Sequence, residues 1–105
     1  TWVAEVSGGT VVSTDETPIG KDVRVFPNPV YDLIQVVFTM TEREPIQIEL
    51  FDVDGRLVRL LYKDAPKTGE NRLTFNKGVL APGTYILSIR SNTQILHNEK
   101  LVIVD

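Results

Sequence analysis

The sequence contains no cysteine and a single histidine, His97. Without cysteine the chain has no disulfide and no thiolate that could bind a metal or act as a nucleophile. The alternation of residues 95–103 places His97 on the strand face that carries Ile95, Leu101 and Ile103. A lone histidine on such a face packs more often than it acts as a base. We therefore predict that the chain is not an enzyme and that it holds neither a metal nor a cofactor.

Blocks of basic residues and long apolar runs are also lacking. The net charge is −3 and the pI is about 5.1, which argues against a nucleic-acid partner. No apolar run approaches the roughly 20 residues that a membrane-spanning helix needs. The start shows no signal peptide, and Thr1 in place of an initiator methionine indicates a fragment of a longer protein.

The composition is that of one globular domain. The chain has 105 residues, of which 42% are hydrophobic and 24% are charged. Residues 1–22 are rich in Ser, Thr, Gly and acidic side chains, and we predict a linker or the tail of a preceding domain there. Within it, residues 2–6 are either the end of that preceding domain or a first strand of this one. The folded domain is expected at residues 23–105.

Short β-favouring runs follow, with turn signals about every ten residues and no helical period. The clearest alternation has Ile46, Ile48 and Leu50 on one face of a strand, with Gln47 and Glu49 on the other. The predicted strands lie within residues 23–26, 33–38, 46–51, 56–62 and 71–75, and in a closing hairpin at 81–105. This pattern predicts an all-β fold, an immunoglobulin-like antiparallel β-sandwich of about seven strands.

The acidic stretch at residues 52–55 has two interpretations. Asp-Gly is a strong hairpin signal because glycine adopts positive φ freely. A calcium loop would instead need glycine at its sixth position and a bidentate glutamate at its twelfth. Counted from Asp52, Gly55 is fourth and the twelfth residue is Lys63. We interpret the stretch as a turn and predict no metal there.

Two other motifs have structural roles. Pro27-Asn28-Pro29 predicts a stiff, non-helical corner, because each proline fixes its own φ, removes a donor and keeps the preceding residue extended. Gly83 and Tyr85 follow a Pro-Gly turn at a strand start. This is the position of a tyrosine corner, in which the hydroxyl bonds backbone a few residues upstream.

The order of these motifs carries a family resemblance. Phe-Pro-Asn-Pro at 26–29 precedes the strand at 33–38, and Leu-Phe-Asp-Val-Asp-Gly-Arg-Leu-Val follows at 50–58. Leu-Ala-Pro-Gly-Thr-Tyr stands at 80–85 and Lys-Leu-Val-Ile-Val at 100–104. Each motif is common alone. Together and in this order they resemble the type A C-terminal sorting domain of type IX secretion system cargo proteins, over residues 23–105. Asp105 departs from the pattern, since such domains often finish on a basic or polar residue.

The resemblance implies a secretion signal. Such a domain directs its parent protein, an upstream cargo, through the periplasm and across the outer membrane of a Gram-negative bacterium to the surface or the medium. The implied partners are the outer-membrane translocon and a surface cysteine protease, which typically removes the domain and anchors the cargo to lipopolysaccharide. Cleavage is implied within residues 1–22. The domain is the substrate of that chemistry and supplies no catalytic group.

The end of the chain is the candidate recognition surface. An edge strand can offer N–H and C=O groups to an added strand, with alternate side chains giving specificity. We predict that the translocon recognises the terminal residues, with the lysine as a polar register mark: Lys100, Leu101, Val102, Ile103, Val104 and Asp105. The alternative is that they form only the last core strand. The motif residues with structural roles are Pro27, Asn28, Pro29, Asp52, Gly55, Gly83 and Tyr85.

A second function from another class stays open at this point. The chain could be a fibronectin- or immunoglobulin-like accessory module of a secreted protein, serving as a spacer or binding glycan. Position in the parent protein separates the two, because a sorting domain must be C-terminal, and a chain that ends at Asp105 favours the sorting domain. The segment before Pro27 either folds onto its own sandwich or exchanges with a second copy in a strand-swapped dimer.

Overall fold

The computed structural model describes residues 18–20 and 22–105, which form two packed antiparallel sheets with no helix. The seven strands are β1 (Arg24–Phe26), β2 (Leu33–Met40), β3 (Ile46–Asp52), β4 (Leu57–Asp64), β5 (Gly69–Asn76), β6 (Gly83–Ser91) and β7 (Ile95–Ile103). One sheet has the order β1-β2-β5 and the other β4-β3-β6-β7. The predicted all-β sandwich of about seven strands is confirmed.

Alternation of side chains builds the core between the sheets. In β2, Ile34, Val36 and Phe38 face inward and are fully buried. Such β-branched and aromatic residues favour strands because they pack well on a pleated surface. The other sheet contributes the inward residues of β3, β6 and β7: Ile46, Ile48, Leu50, Tyr85, Leu87, Ile89, Leu101 and Ile103. Each fully buried aliphatic side chain stabilises the fold by roughly 1.5–3 kcal/mol.

One predicted side-chain position in β7 is wrong. Ile95 was expected on the inner face with His97, but it is 61% exposed. The reason is a register shift in the β6–β7 pairing, where Ile89 pairs with His97 while Arg90 pairs with Ile95. The shift is a β-bulge with one additional β7 residue, and such an insertion moves the preceding side chain to the opposite face.

The two predicted turn devices are present. The carboxylate Oδ1 of Asp52 accepts hydrogen bonds from the N–H groups of Asp54 and Arg56, at 2.9 and 3.0 Å. Gly55 has a φ of 86°, in the left-handed region that glycine tolerates best. At the start of β6, the hydroxyl of Tyr85 donates to the carbonyl of Ala81, as expected for a tyrosine corner.

Residues 18–20 lie along the end of β2. The N–H of Gly20 donates to Thr39 at 2.7 Å, and the carbonyl of Pro18 accepts from Thr41 at 2.8 Å. Ile19 is buried and belongs to the core. The remaining predictions for the N-terminal stretch, including a strand at residues 2–6, lie outside the described residues.

Candidate functional site

The last residues of the chain are bonded on their outer side by the Pro-Asn-Pro segment, defined as residues 27–30. β7 is an edge strand, because it pairs with β6 alone in its sheet. The N–H of Val30 donates to the carbonyl of Val102 at 2.7 Å, and the carbonyl of Val30 accepts from Val104 at 2.9 Å. Val30 thereby forms a parallel bridge with Ile103 and is fully buried. The connection between β1 and β2 thus covers the end of the opposite sheet.

The side chain of Asn28 extends this pairing. Its Oδ1 accepts a hydrogen bond from the N–H of Val102 at 3.1 Å, and its Nδ2 donates to the carbonyl of Lys100 at 3.4 Å. The flanking residues Pro27 and Pro29 have no N–H to donate, and both of their peptide bonds are cis. A carboxamide carries both a donor and an acceptor, so the side chain of Asn28 bonds the edge of β7 as the backbone of an adjacent strand would.

A third contact comes from the connection between β5 and β6. The ammonium Nζ of Lys77 donates to the carbonyl of Val104 at 3.0 Å. The backbone N–H of Lys77 donates to Asp32 at 2.8 Å, which fixes the base of this side chain. Residues from two separate connections therefore hold the end of the chain against the sandwich.

The six predicted recognition residues divide into two groups. Leu101 and Ile103 are buried at 0% and 1% exposure, so their side chains belong to the core. The side chains that remain accessible are those of Lys100, Val102, Val104 and Asp105. The backbone groups of Val102 are already bonded by Asn28 and Val30, as described above. A partner of the folded domain can therefore contact four of the six side chains.

Next to this end, β7 carries an ionisable pair. The ring Nε2 of His97 lies 2.9 Å from Oε1 of Glu99, and both side chains are partly buried. Both project from the inward-facing side of β7, paired with Ile89 and Leu87 of β6. Their contact satisfies polar groups at the margin of the core, which fits the prediction that His97 packs.

An apolar groove of about 570 Å³ crosses the outer face of the four-stranded sheet. Its lining includes Phe51, Leu57 and Ile95, beside an ion pair between Glu49 and Arg90. Glu49 is 4% exposed, and its Oε1 lies 2.7 Å from Nε of Arg90. Sequence alternation indicated the outward face of Glu49, but the burial of its carboxylate follows from Arg90, 41 positions away.

The described residues contain no cluster of three or more His, Cys, Asp or Glu side chains placed to hold a metal. Among them there is also no helix long and apolar enough to cross a membrane. The contact of Asn28 with Val102 was not predicted, although the Pro-Asn-Pro motif marked the corner that makes it. Nothing in the sequence indicated the contact of Lys77 with Val104.

The fold and the site define a class of protein: an immunoglobulin-like β-sandwich whose terminal strand is held in place from outside by a proline-flanked asparagine. The sequence model of the secretion system C-terminal sorting domain matches residues 24–104, and the chain belongs to that family. Its members are the C-terminal sorting signals of the type IX secretion system. The domain is recognised by the secretion machinery, marks its protein for export across the outer membrane, and belongs to a family that is not itself catalytic.

The structure is also similar to parts of larger solved proteins. Dimeric latent PorU from Porphyromonas gingivalis aligns over 90% of this chain with a TM-score of 0.63 and 18% identity, which shows the same fold. A β-glucosidase from Listeria innocua in complex with gluconolactone aligns over 83% of the chain, with a TM-score of 0.47 and 18% identity. This chain spans 10% of the PorU chain and 16% of the β-glucosidase chain. No curated protein sequence matches the chain.

Proposed function

We propose that the secretion machinery reads this sorting signal on the folded domain, at the end of β7. The surface consists of the side chains of Lys100, Val102, Val104 and Asp105. The observation that carries the proposal is that Asn28, Val30 and Lys77 bond the backbone of this end. A tail that acted in an unfolded form would need none of these contacts.

Fixing the end of the chain beforehand favours recognition for a thermodynamic reason. Ordering one residue's backbone costs about 1–2 kcal/mol, and a flexible tail would meet that cost on binding. In this domain the cost is met during folding, so more of the contact energy appears as affinity. Lys100 is exposed and supplies a cation beside the half-buried Val102 and Val104.

The partners and the stages of export extend the same proposal. The recognising partner is the outer-membrane translocon, reached from the periplasm. A surface cysteine protease then cuts within residues 1–22, releasing the domain at 23–105 and leaving the cargo at the outer membrane surface or in the medium. In this sequence of events the domain acts only as a substrate.

The test fuses the whole 105-residue chain behind a neutral periplasmic reporter in a bacterium that has the type IX system. We expect the reporter at the cell surface or in the medium. A reporter that folds but stays in the periplasm contradicts the function. Lys100→Ala is expected to lower export, whereas Lys67→Ala, which removes an exposed lysine from the β4–β5 connection, leaves export unchanged.

Deleting the end of the chain would be a poor substitute for these point variants. Removing residues 101–104 takes away Leu101 and Ile103, each stabilising the core by roughly 1.5–3 kcal/mol. The total stability of a domain is about 5–15 kcal/mol. The deletion is therefore expected to stop export by unfolding, so each export variant is first checked for its unfolding midpoint in urea.

A strand-swapped dimer is a further part of the proposal. In the structure β1 pairs with β2 of its own chain, through three residue pairs from Arg24 to Phe26. So short a strand has few hydrogen bonds to break before exchange with a second copy. The PorU structure, which shares this fold, is dimeric. Sedimentation velocity over a range of concentrations tests the exchange, and a single monomer species throughout contradicts it.

A further inference from the structure

The Pro-Asn-Pro segment covers only part of the outer edge of β7. The N–H and C=O of Val102 point away from β6, because they bond Asn28 and Val30. In an antiparallel strand, every second residue directs its backbone groups to the same side. The backbone groups of Lys100 and Asn98 therefore also point away from β6.

Within residues 18–20 and 22–105, three of these outward groups are open. The carbonyl of Lys100 accepts from Asn28, but the N–H of Lys100 and both backbone groups of Asn98 have no hydrogen-bond partner among the residues that the structure describes. The side chains of Asn98 and Lys100 are both exposed, so the edge is accessible. The open part begins after the β-bulge near Ile95 and ends where Asn28 reaches the strand.

The pattern of these groups indicates what binds them. A donor and an acceptor on one residue, followed two residues later by a second donor, match one neighbouring extended strand. The side chain of Asn28 occupies the next outward N–H, that of Val102, so a strand paired with Asn98 cannot slide toward the end of the chain. The side chain of Asn28 thus fixes the register of the added strand, and the register decides on which face of the sheet each of its side chains lies.

The charge of Lys100 indicates which side chain the added strand carries. Lys100 forms no ion pair with any residue in the described part of the chain. Directly opposed charges on adjacent strands stabilise their pairing, so an acidic side chain opposite Lys100 is favoured. The occupant is therefore an extended peptide segment that carries a carboxylate at that position.

We propose that the secretion machinery adds such a strand to β7 at Asn98 and Lys100, immediately before the part covered by the Pro-Asn-Pro segment. This inference rests on the proposed function and names its mode of recognition. It places the backbone contact on Asn98 and on Lys100, the first of the six terminal residues, because the outward backbone groups of Val102 and the N–H of Val104 are already bonded within the domain.

The substitution Asn98→Pro tests the proposal. Asn98→Pro removes the outward N–H while leaving the β6–β7 hydrogen bonds, since proline is tolerated on an edge strand where the N–H faces solvent. Asn98→Ala is the matched control, because it loses the same side chain and keeps the donor. In the reporter fusion of the whole chain, we expect the proline variant to lower export at least about tenfold and the alanine variant to export normally.

Equal export by the proline and alanine variants overturns the strand-addition proposal. Failure of the unaltered chain to export is a different result and contradicts the proposed function instead. Thermal unfolding of the purified variants shows whether Asn98→Pro stays folded at the assay temperature.

Amide hydrogen exchange provides a second measurement that needs no substitution. With purified outer-membrane translocon in detergent, exchange at Asn98 and Lys100 should slow by at least about tenfold, while Val102, already bonded, should change little. Protection confined to other strands contradicts the proposal. Protection that rises with the concentration of the chain alone, without translocon, contradicts it too, because the added strand is then supplied by a second copy.

Discussion

The carboxamide of Asn28 accepts a hydrogen bond from the backbone N–H of Val102 at 3.1 Å, across 74 positions of sequence. This bond joins the corner between β1 and β2 to the terminal strand of the other sheet. It gives the Pro-Asn-Pro motif a role beyond that of a stiff turn, because the residue between the prolines holds the end of the sorting signal.

Removing that side chain should loosen the end of the chain without unfolding the domain. Asn28→Ala loses one bond of 3.1 Å and a weaker one of 3.4 Å, both exposed. We expect the free energy of unfolding to fall by about 1 kcal/mol and the amide of Val102 to exchange faster. Asn98→Ala removes an exposed asparagine from β7, the strand that carries Val102, and should leave both quantities unchanged. Equal exchange rates at Val102 in the two variants would contradict this role of Asn28.

The turn after β3 should depend on the backbone of its glycine. Gly55 has a φ of 86° and an added Cβ would meet no atom within 4 Å, so substitution acts through the backbone alone. Gly55→Ala should cost about 1–2 kcal/mol, the penalty of the left-handed conformation. Gly20→Ala is the control, since its φ is ordinary and its Cβ would lie 3.6 Å from Thr39. Urea unfolding measures both, and equal costs would contradict the backbone explanation.

The ion pair between Glu49 and Arg90 on the outer face should contribute more to the free energy of unfolding than exposed charges do. Arg90→Ala leaves the carboxylate of Glu49 buried without its cation, for a cost of about 1–3 kcal/mol. Arg72→Ala, on the exposed edge strand β5, should change stability by no more than about 0.5 kcal/mol. Adding Glu49→Gln to Arg90→Ala should recover part of the loss, because it removes the buried charge. A double variant no more stable than Arg90→Ala would argue against this account.

Stability at alkaline pH should depend on Tyr62. Burial raises the pKa of its hydroxyl above the usual 10.0, Asp64 raises it further and Arg43 opposes them. The unfolded chain therefore releases this proton at a lower pH than the folded one. The contribution of Tyr62 to stability is complete below about pH 10 and is lost as the pH rises through the folded pKa. In Tyr62→Phe, stability should fall less steeply above about pH 10, as measured by urea unfolding. An unchanged slope would contradict the assignment.

Several features were accessible from the sequence because they depend on nearby residues. The alternation of Ile46, Ile48 and Leu50 predicted an inward strand face, and all three side chains are buried. The Asp-Gly pair predicted the turn after β3, since φ at Gly55 is a local requirement. The order of the four motifs was enough to indicate the sorting domain family, which the match over residues 24–104 confirms.

Other features depend on residues far apart in the sequence. The exposure of Ile95 results from a register shift against β6, which no alternation within β7 reveals. The burial of Glu49 requires Arg90, and the position of Val104 requires Lys77. Each of these depends on a partner that only the packing of two sheets brings near.

The sequence alone determined that this chain is a β-sandwich and a sorting domain, because strand alternation, turn chemistry and motif order are encoded within short segments. Only the tertiary structure decided which backbone groups of β7 are covered and which are open. Hydrogen bonding between distant segments makes that division: Asn28 and Val30 bond the strand at Val102 and leave Asn98 exposed.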